Sequence, residues 1–330
     1  MSEYPRTQAE FEQWFRTEEA CRTYLVRLRW PEGFRCPTCG GEKAWPVRRV
    51  LLHCASCGHQ TSVTAGTIFQ DTRTPLRVWF RAMWTVTSQR TGASALTLQQ
   101  VLGLGSYVTA WTWLHKLRRA MVRPDRERLG GRVEVDETFV GGLEEGGRGR
   151  GTEKKALIVV AVEEKGRGIG RIRLKRVADA SADSLQAFVD EVVEPRSRVH
   201  TDGWLGYERM TAHGYRHRIT FLNDQPEPAS DLLPRVHLVA SLLKRWLLGT
   251  HQGAVSLEHL DYYLDEFTFR FNRRRSRHRG MLFFRLAQQA VQVGPAPYRS
   301  LVKRVGRGPG RGRSRRRTRT TTYRGQKART

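Results

Sequence analysis

Apolar residues recur three and four positions apart in the first third of this chain, then switch to alternate positions and continuous runs. Phe11, Trp14 and Phe15, followed by Tyr24, Leu25 and Leu28, keep helical spacing and predict a helix over 7–29. Trp30-Pro31-Glu32-Gly33 breaks that pattern. Residues 34–63 hold turn residues and short β-type runs. Helical spacing returns over 75–90, where Pro75 suits a first helical position. Trp79, Phe80, Met83 and Trp84 fall on one side there, as expected of core residues rather than a base-stacking platform. Residues 92–121 predict a helix-turn-helix: 95–102, a turn at Gly103-Leu104-Gly105, and 107–121.

From residue 132 the periodicity changes. Segments 132–136, 156–162, 171–177 and 198–202 read as strands, the middle two rich in Val and Ile. Ser181 caps a predicted amphipathic helix over 181–193, with Leu185, Phe188, Val189 and Val192 inward. Residues 237–248 and 256–271 predict two more helices, the second capped by Ser256. Strands followed by a crossover helix and a further strand indicate an α/β class with a mixed sheet. Gly141 to Gly151 reads as a hairpin connection or a backbone-binding loop. The expected organisation is a helical segment at 1–33, a cysteine module at 34–72, a helical DNA-binding region at 73–125, an α/β domain at 130–290, and a low-complexity, disordered basic tail at 303–330.

Charge then narrows the partner. The 330 residues carry 58 Lys and Arg against 32 Asp and Glu, a net charge of +26. Twelve of the basic residues lie in 303–330, which has no acid, so the remainder is still at +14. A surplus of this size calls for a polyanion such as double-stranded DNA. No apolar run is long enough to span a bilayer, and the first sixteen residues lack the apolar stretch of a secretory signal, so a cytoplasmic, nucleoid-associated protein is expected.

Cys36-Pro37-Thr38-Cys39 and Cys54-Ala55-Ser56-Cys57 are separated by fourteen residues. Each pair places two sulfurs on one tight turn, and four thiolates suit a closed, structural Zn²⁺ site. A thioredoxin-type redox site needs one such pair at a helix start, not two matched pairs. Cys21, the fifth cysteine, is expected to pack on its helix, and His53 and His59 to face DNA or solvent.

Two acids end apolar strands, Asp136 after Val133 and Val135, and Asp202 after Val199. Strand ends of α/β sheets are where ligands gather, and converging carboxylates repel unless a cation separates them. His237 and Lys244 lie seven apart and share a helix face with Ser241, while Leu238, Leu242 and Leu243 are expected to pack. His237 is therefore a candidate third metal-site residue, and Lys244 a phosphate contact. Glu266 is the alternative third acid, although it can instead pair with Arg270 four residues on. Glu137 alternates away from Asp136 along the strand.

In these segments the chain resembles the bacterial insertion-sequence transposases that pair an N-terminal zinc ribbon with a DDE-type (ISXO-like), RNase H-like domain, over roughly residues 10–290. The resemblance rests on the two Cys pairs, on the run from Glu134 through Asp136-Glu137-Thr138 to Gly142, and on Thr201-Asp202-Gly203 with Tyr207. It extends over Lys244 to Gly253, Leu264 to Phe267, and Arg270 to Arg274. It implies cleavage and transfer of DNA strands at terminal inverted repeats into target DNA, with Mg²⁺ or Mn²⁺ on Asp136 and Asp202 and a homodimer or higher assembly on DNA. His237 stands where many such enzymes have a carboxylate. A nuclease that cuts without joining and a non-enzymatic DNA-binding regulator are the alternative functions.

Overall fold

The computed structural model describes residues 3–47, 50–123, 126–141, 155–221, 229–253 and 255–302. The loop expected at 141–151 and the basic tail thus lie, Gly141 apart, outside the described residues.

The first predicted helix is two. α1 (Gln8–Trp14) ends at Phe15, and Thr17 caps α2 (Glu18–Arg29) by accepting the N–H of Ala20 at 3.1 Å. A polar cap residue with extended backbone outweighs the continuous apolar spacing. Strands β1 (Ala44–Val47), β2 (Leu51–Cys54) and β3 (Gln60–Ser62) then form an antiparallel sheet. α3 (Leu76–Ser88) has no cap of its own, and Glu18 supplies one by accepting the N–H groups of Leu76 at 2.7 Å and Arg77 at 3.1 Å. α4 (Ala95–Leu102) and α5 (Tyr107–Ala120) make the expected helix-turn-helix, and Gly103 ends α4 at φ +63°, a conformation that favours glycine.

The second half is built on five strands: β4 (Arg132–Gly141), β5 (Lys155–Lys165), β6 (Gly168–Val177), β7 (Arg198–Asp202) and β8 (Arg216–Thr220). Their order is β6-β5-β4-β7-β8. β4, β5 and β6 are antiparallel, whereas β7 pairs parallel with both β4 and β8. α6 (Ala182–Val192) is the crossover between the antiparallel meander and β7 and covers one face with Val133, Val135, Val159 and Val199 beneath it. α7 (Ala229–Leu232), α8 (Pro234–His251) and α9 (Leu260–Asn272) follow, and α8 and α9 cover the other face over Ile158, Val160, Ile172 and Leu174. This is an RNase H-like mixed α/β sheet, as expected. β8 went unpredicted because three of its five residues are exposed and none is buried, leaving no apolar face to give a period of two.

α10 (Gly280–Ala290) and α11 (Tyr298–Leu301) end the described chain. The expected 130–290 domain is corrected here. Leu282, Phe283 and Leu286 of α10 pack into the N-terminal helical core with Phe11, Phe80 and Trp84, so α10 returns to the first half. Its apolar face has no room on the sheet, whose two faces α6, α8 and α9 already occupy.

Candidate functional site

The register of β4 and β7 decides where the aspartates point. Glu134 stands opposite His200 in the parallel ladder. Two residues further along each strand are Asp136 and Asp202, on the same face by the alternation of strand side chains. Asp202 is the last residue of β7, at an end where an α/β sheet opens toward ligands, whereas Asp136, expected to end its strand, lies midway along β4, two residues past its last pairing with β7. Asp136 Oδ1 accepts the N–H of Glu137 at 2.8 Å, and Asp202 Oδ1 accepts that of Trp204 at 3.1 Å. Glu137 points to the opposite face, where its carboxylate accepts the hydroxyl of the buried Tyr207 at 2.7 Å. Burial, then the charges of Glu137, Asp136 and Asp202, hold that phenol well above its ordinary pKa.

α8 lays His237 across this face. Its Nε2 is 3.7 Å from Asp136 Oδ2, too far for a hydrogen bond, and it is buried with no hydrogen-bond partner. Burial keeps the imidazole below its ordinary pKa, against the pull of Glu134 and Asp202, and Lys244 pushes the same way as burial. A neutral ring leaves Nε2 available as an electron-pair donor. Ligands of one small divalent cation at ~2.1 Å lie no more than ~4.2 Å apart, so the 3.7 Å separation and the unpartnered nitrogen both fit a cation held between His237 and Asp136. Asp136, Asp202 and His237 do not draw in as tightly as the cysteines. Among the described residues, only the cysteines bring three or more metal-ligating donor atoms within 4.8 Å of one another. Lys244 is exposed seven residues along the helix, and Leu238, expected to pack, is half exposed.

Sequence reasoning missed what seats α8. The helix begins at Pro234 without a side-chain cap of its own. The buried Glu134, on the strand two residues before Asp136, accepts the N–H groups of Arg235 and Val236 and the guanidinium of Arg235. The available signal was an acid at a core strand position, on the same face as Asp136.

Glu266 goes elsewhere. It is fully buried between Arg118 of α5 and Arg270 of α9, each donating Nε at 2.8 Å. Burial opposes its charge, but the two guanidiniums hold the carboxyl down at about 2. Gly92 sits against this triad at φ +86°, and a Cβ there would lie 2.9 Å from Glu266 Oε1. The triad ties the helix-turn-helix to the sheet domain.

Cys36, Cys39, Cys54 and Cys57 converge as the spacing predicts. The Cys36 and Cys57 sulfurs are 3.7 Å apart, and those of Cys39 and Cys54 are 3.6 Å apart. A tetrahedral ion with Zn–S bonds of ~2.3 Å has sulfur–sulfur edges of ~3.8 Å, so the cradle fits zinc. The amide of Cys57 leads in pulling the Cys54 thiol down to about 6, which favours the thiolate a metal needs. Cys21 is buried in the helical core. His53 is tilted against the exposed Trp45 at 4.6 Å between ring centres. On the helix-turn-helix, Leu96, Val101, Tyr107 and Val108 are exposed, whereas Arg118 turns inward to Glu266.

Comparison with known proteins places these features together. Residues 128–272 match the family of ISXO2-like transposase domains, and residues 16–60 match the transposase zinc-ribbon domain. A protein of Halobacterium salinarum described as an uncharacterized protein in the transposable element ISH50 is 27% identical over 280 residues, covering 78% of this chain and 91% of that protein. Among solved structures, a pre-cleavage Mos1 transpososome is 14% identical and covers 65% of this chain and 78% of that one, with a TM-score of 0.26. The Mos1 strand transfer complex has the same TM-score and identity over 64% of this chain and 75% of that one. At that score the likeness positions no residue.

Proposed function

We propose that this chain, which belongs to the insertion-sequence transposases carrying a zinc ribbon ahead of an ISXO2-like transposase domain, cuts DNA strands at the terminal inverted repeats of its element and joins them to target DNA. One observation carries the reading. Asp136 and Asp202 share a face of the sheet on adjacent parallel strands, just past the last β4–β7 pair, and His237 brings an unpartnered Nε2 to within 3.7 Å of Asp136.

In this reading Asp136 and Asp202 hold Mg²⁺ or Mn²⁺, with His237 as a third ligand. The bound cation activates the attacking oxygen and stabilises the leaving one. The protein's own groups supply the rest. Asp136 and Asp202 are fixed, each by a backbone N–H. His237 stays neutral through burial. Lys244, exposed farther along α8, offers a point charge to a strand phosphate. No side chain need act as a nucleophile, because water and then a DNA 3′-hydroxyl can attack.

The cysteine quartet holds zinc as a structural ion, keeping the small β1–β3 sheet in shape for an end of the element. The net charge of +26 supplies sequence-independent affinity for the backbone. Two ends must be brought together, so the working form is a dimer or larger on DNA.

The test uses labelled end duplexes with the full chain. Asp136→Asn should abolish cleavage and strand transfer while leaving end binding nearly intact. Full activity in that variant would remove the enzymatic reading. Cleavage by the unaltered chain with no joined product would leave a nuclease.

A further inference from the structure

A cavity of about 270 Å³ lies at the β6 edge of the sheet, away from β7 and its Asp202. Five arginines line it: Arg123 and Arg126 from the connection between α5 and β4, Arg171 and Arg173 from β6, and Arg273 at the end of α9. Among the described residues, the acids on its wall are Glu127 and Asp265. Arg171 is already satisfied, by Glu163 at 2.9 Å and Glu127 at 2.7 Å. The others are not. Among the described residues no carboxylate comes within 4.0 Å of the guanidinium of Arg123, Arg126, Arg173 or Arg273.

Arg173 is the telling one. It is 5% exposed, and the partners it has are carbonyl oxygens, those of Ile172 at 2.9 Å and Glu127. Arg273 donates to the Phe269 carbonyl at 3.1 Å and stacks 4.0 Å above the Phe269 ring. Burial, then Arg126 and Arg171, bring Arg173 down to about 10; burial, then Arg285 and Arg123, do the same to Arg273. Burial, opposed by Arg126 and aided by Asp261, pushes Asp265 up to about 7, so its capacity to neutralise the arginines is reduced. Gln289, itself 5% exposed, lines the same cavity with an Oε1 that has no hydrogen-bond partner. Buried guanidiniums without counter-charges are unfavourable, and an anion relieves that cost. Guanidinium forks match phosphate oxygens in pairs. The volume falls just short of the ~300 Å³ where drug-sized sites begin, which favours a small anionic group.

We propose that this cavity is a phosphate-binding site, separate from the Asp136–Asp202 face, in which Arg126, Arg173 and Arg273 hold a phosphate group and Gln289 accepts a hydrogen bond from its hydroxyl or water. The phosphate comes from the DNA backbone or from a small free phosphate compound. The site stands whether or not Asp136 and Asp202 act in strand transfer. Because its walls come from α5's exit, β6, α9 and α10, an occupant bridges the helix-turn-helix half and the sheet half.

The test is calorimetric titration of the full chain with inorganic phosphate in magnesium-free buffer at physiological ionic strength. One saturable site is expected. Arg126→Gln with Arg273→Gln should weaken it by roughly tenfold to a hundredfold per guanidinium, the range for charge-assisted bonds. Arg16→Gln with Arg27→Gln, two exposed arginines elsewhere, should leave it unchanged. No saturable site, or equal weakening in the two double variants, would overturn the proposal in favour of diffuse surface charge. Arg126 makes no hydrogen bond to another described residue, so Arg126→Gln alone keeps the test decisive if the double variant fails to fold. A second arm adds end duplex. If duplex displaces phosphate, and the Arg126/Arg273 variant binds duplex more weakly, the backbone is the source. If duplex and phosphate bind together, the source is a free phosphate compound.

Discussion

Glu134 grips Arg235 at two points, its Oε2 accepting the backbone N–H at 2.8 Å and its Oε1 accepting Nη1 at 2.7 Å, across a separation of 101 residues. The same Oε2 takes the N–H of Val236 at 2.9 Å. A buried strand carboxylate thus serves as the N-cap that α8 lacks, and places His237 one residue beyond the bonded amides. Glu134→Ala strands two amides and leaves the Arg235 guanidinium only its longer bonds to Glu164 and the Gly166 and Gly168 carbonyls. It should lower stability by roughly 3 kcal/mol in urea denaturation. Glu134→Gln, which keeps one acceptor, should cost less. In both variants cleavage should fall further than the folded fraction does, with end binding retained. Cleavage that simply tracks the folded fraction would show that the bond fixes the fold and not the site.

Acid should weaken this protein earlier than its carboxylates alone would dictate. His115 is buried among Trp111, His259, Tyr262 and Tyr263 with both ring nitrogens unpartnered, and burial followed by Arg118 lowers it from 6.5 to about 2. Burial leads in lowering His200 and His251 to about 4. The folded state excludes the charged ring, so the stability these groups confer is intact above about 6.5 and is lost as pH falls through 6.5 toward 4 for His200 and His251 and toward 2 for His115. Glu266, held at about 2, adds its own loss from about 4.5 downward. His115→Phe should remove one proton from this linkage. The gain is about 2 kcal/mol near pH ~5 relative to neutral pH, read from denaturation at the two pH values. An unchanged pH slope would mean that His115 is solvated when folded.

Much of this was legible from local pattern, and the misses share a cause. The cysteine spacing, the helix-turn-helix and the strand that Asp202 ends are short-range features, and Cys36, Gly103 and Asp202 stand where such reasoning puts them, whereas β4 runs on five residues past Asp136. Helix caps were sought in the preceding residue. Ser181 satisfies that search, but α3 and α8 are capped by Glu18 and Glu134, which lie 58 and 101 residues away from the amides they hold. The same non-locality hid α10. Its Leu282, Phe283 and Leu286 show that an apolar face exists but not which core receives it. Glu266 could be read in two ways until Arg118, 148 residues away, arrived to close the triad.

Zinc should be separable from the sheet. Cys54→Ser removes the sulfur opposite Cys39 and the thiol that its neighbours' amides draw toward the anionic form. Structural zinc and folding are coupled in small modules of this kind. The variant should therefore retain little zinc by elemental analysis, and its affinity for end duplex should fall. The unfolding of the α/β half, which shares no core with β1–β3, should persist. Retention of zinc with unaltered end binding would show that three sulfurs suffice and that Cys54 is a packing residue.

His237 sets the choice of catalytic cation. Mg²⁺ prefers oxygen ligands and keeps its waters, whereas imidazole suits softer ions. With a neutral ring nitrogen facing Asp136, the site should work better with Mn²⁺ than with Mg²⁺ after the protein is stripped with EDTA and each ion is added back. Replacing that nitrogen with oxygen should reverse the order. His237→Asp should move the ratio of Mg²⁺- to Mn²⁺-supported cleavage upward by roughly tenfold, equivalent to ~1.4 kcal/mol of differential stabilisation. His237→Ala, which removes the ligand without supplying another, should lower activity with both ions. If the ratio is the same in all three proteins while overall rates fall, His237 orients a water or a phosphate instead of ligating, and the cation rests on Asp136 and Asp202 alone.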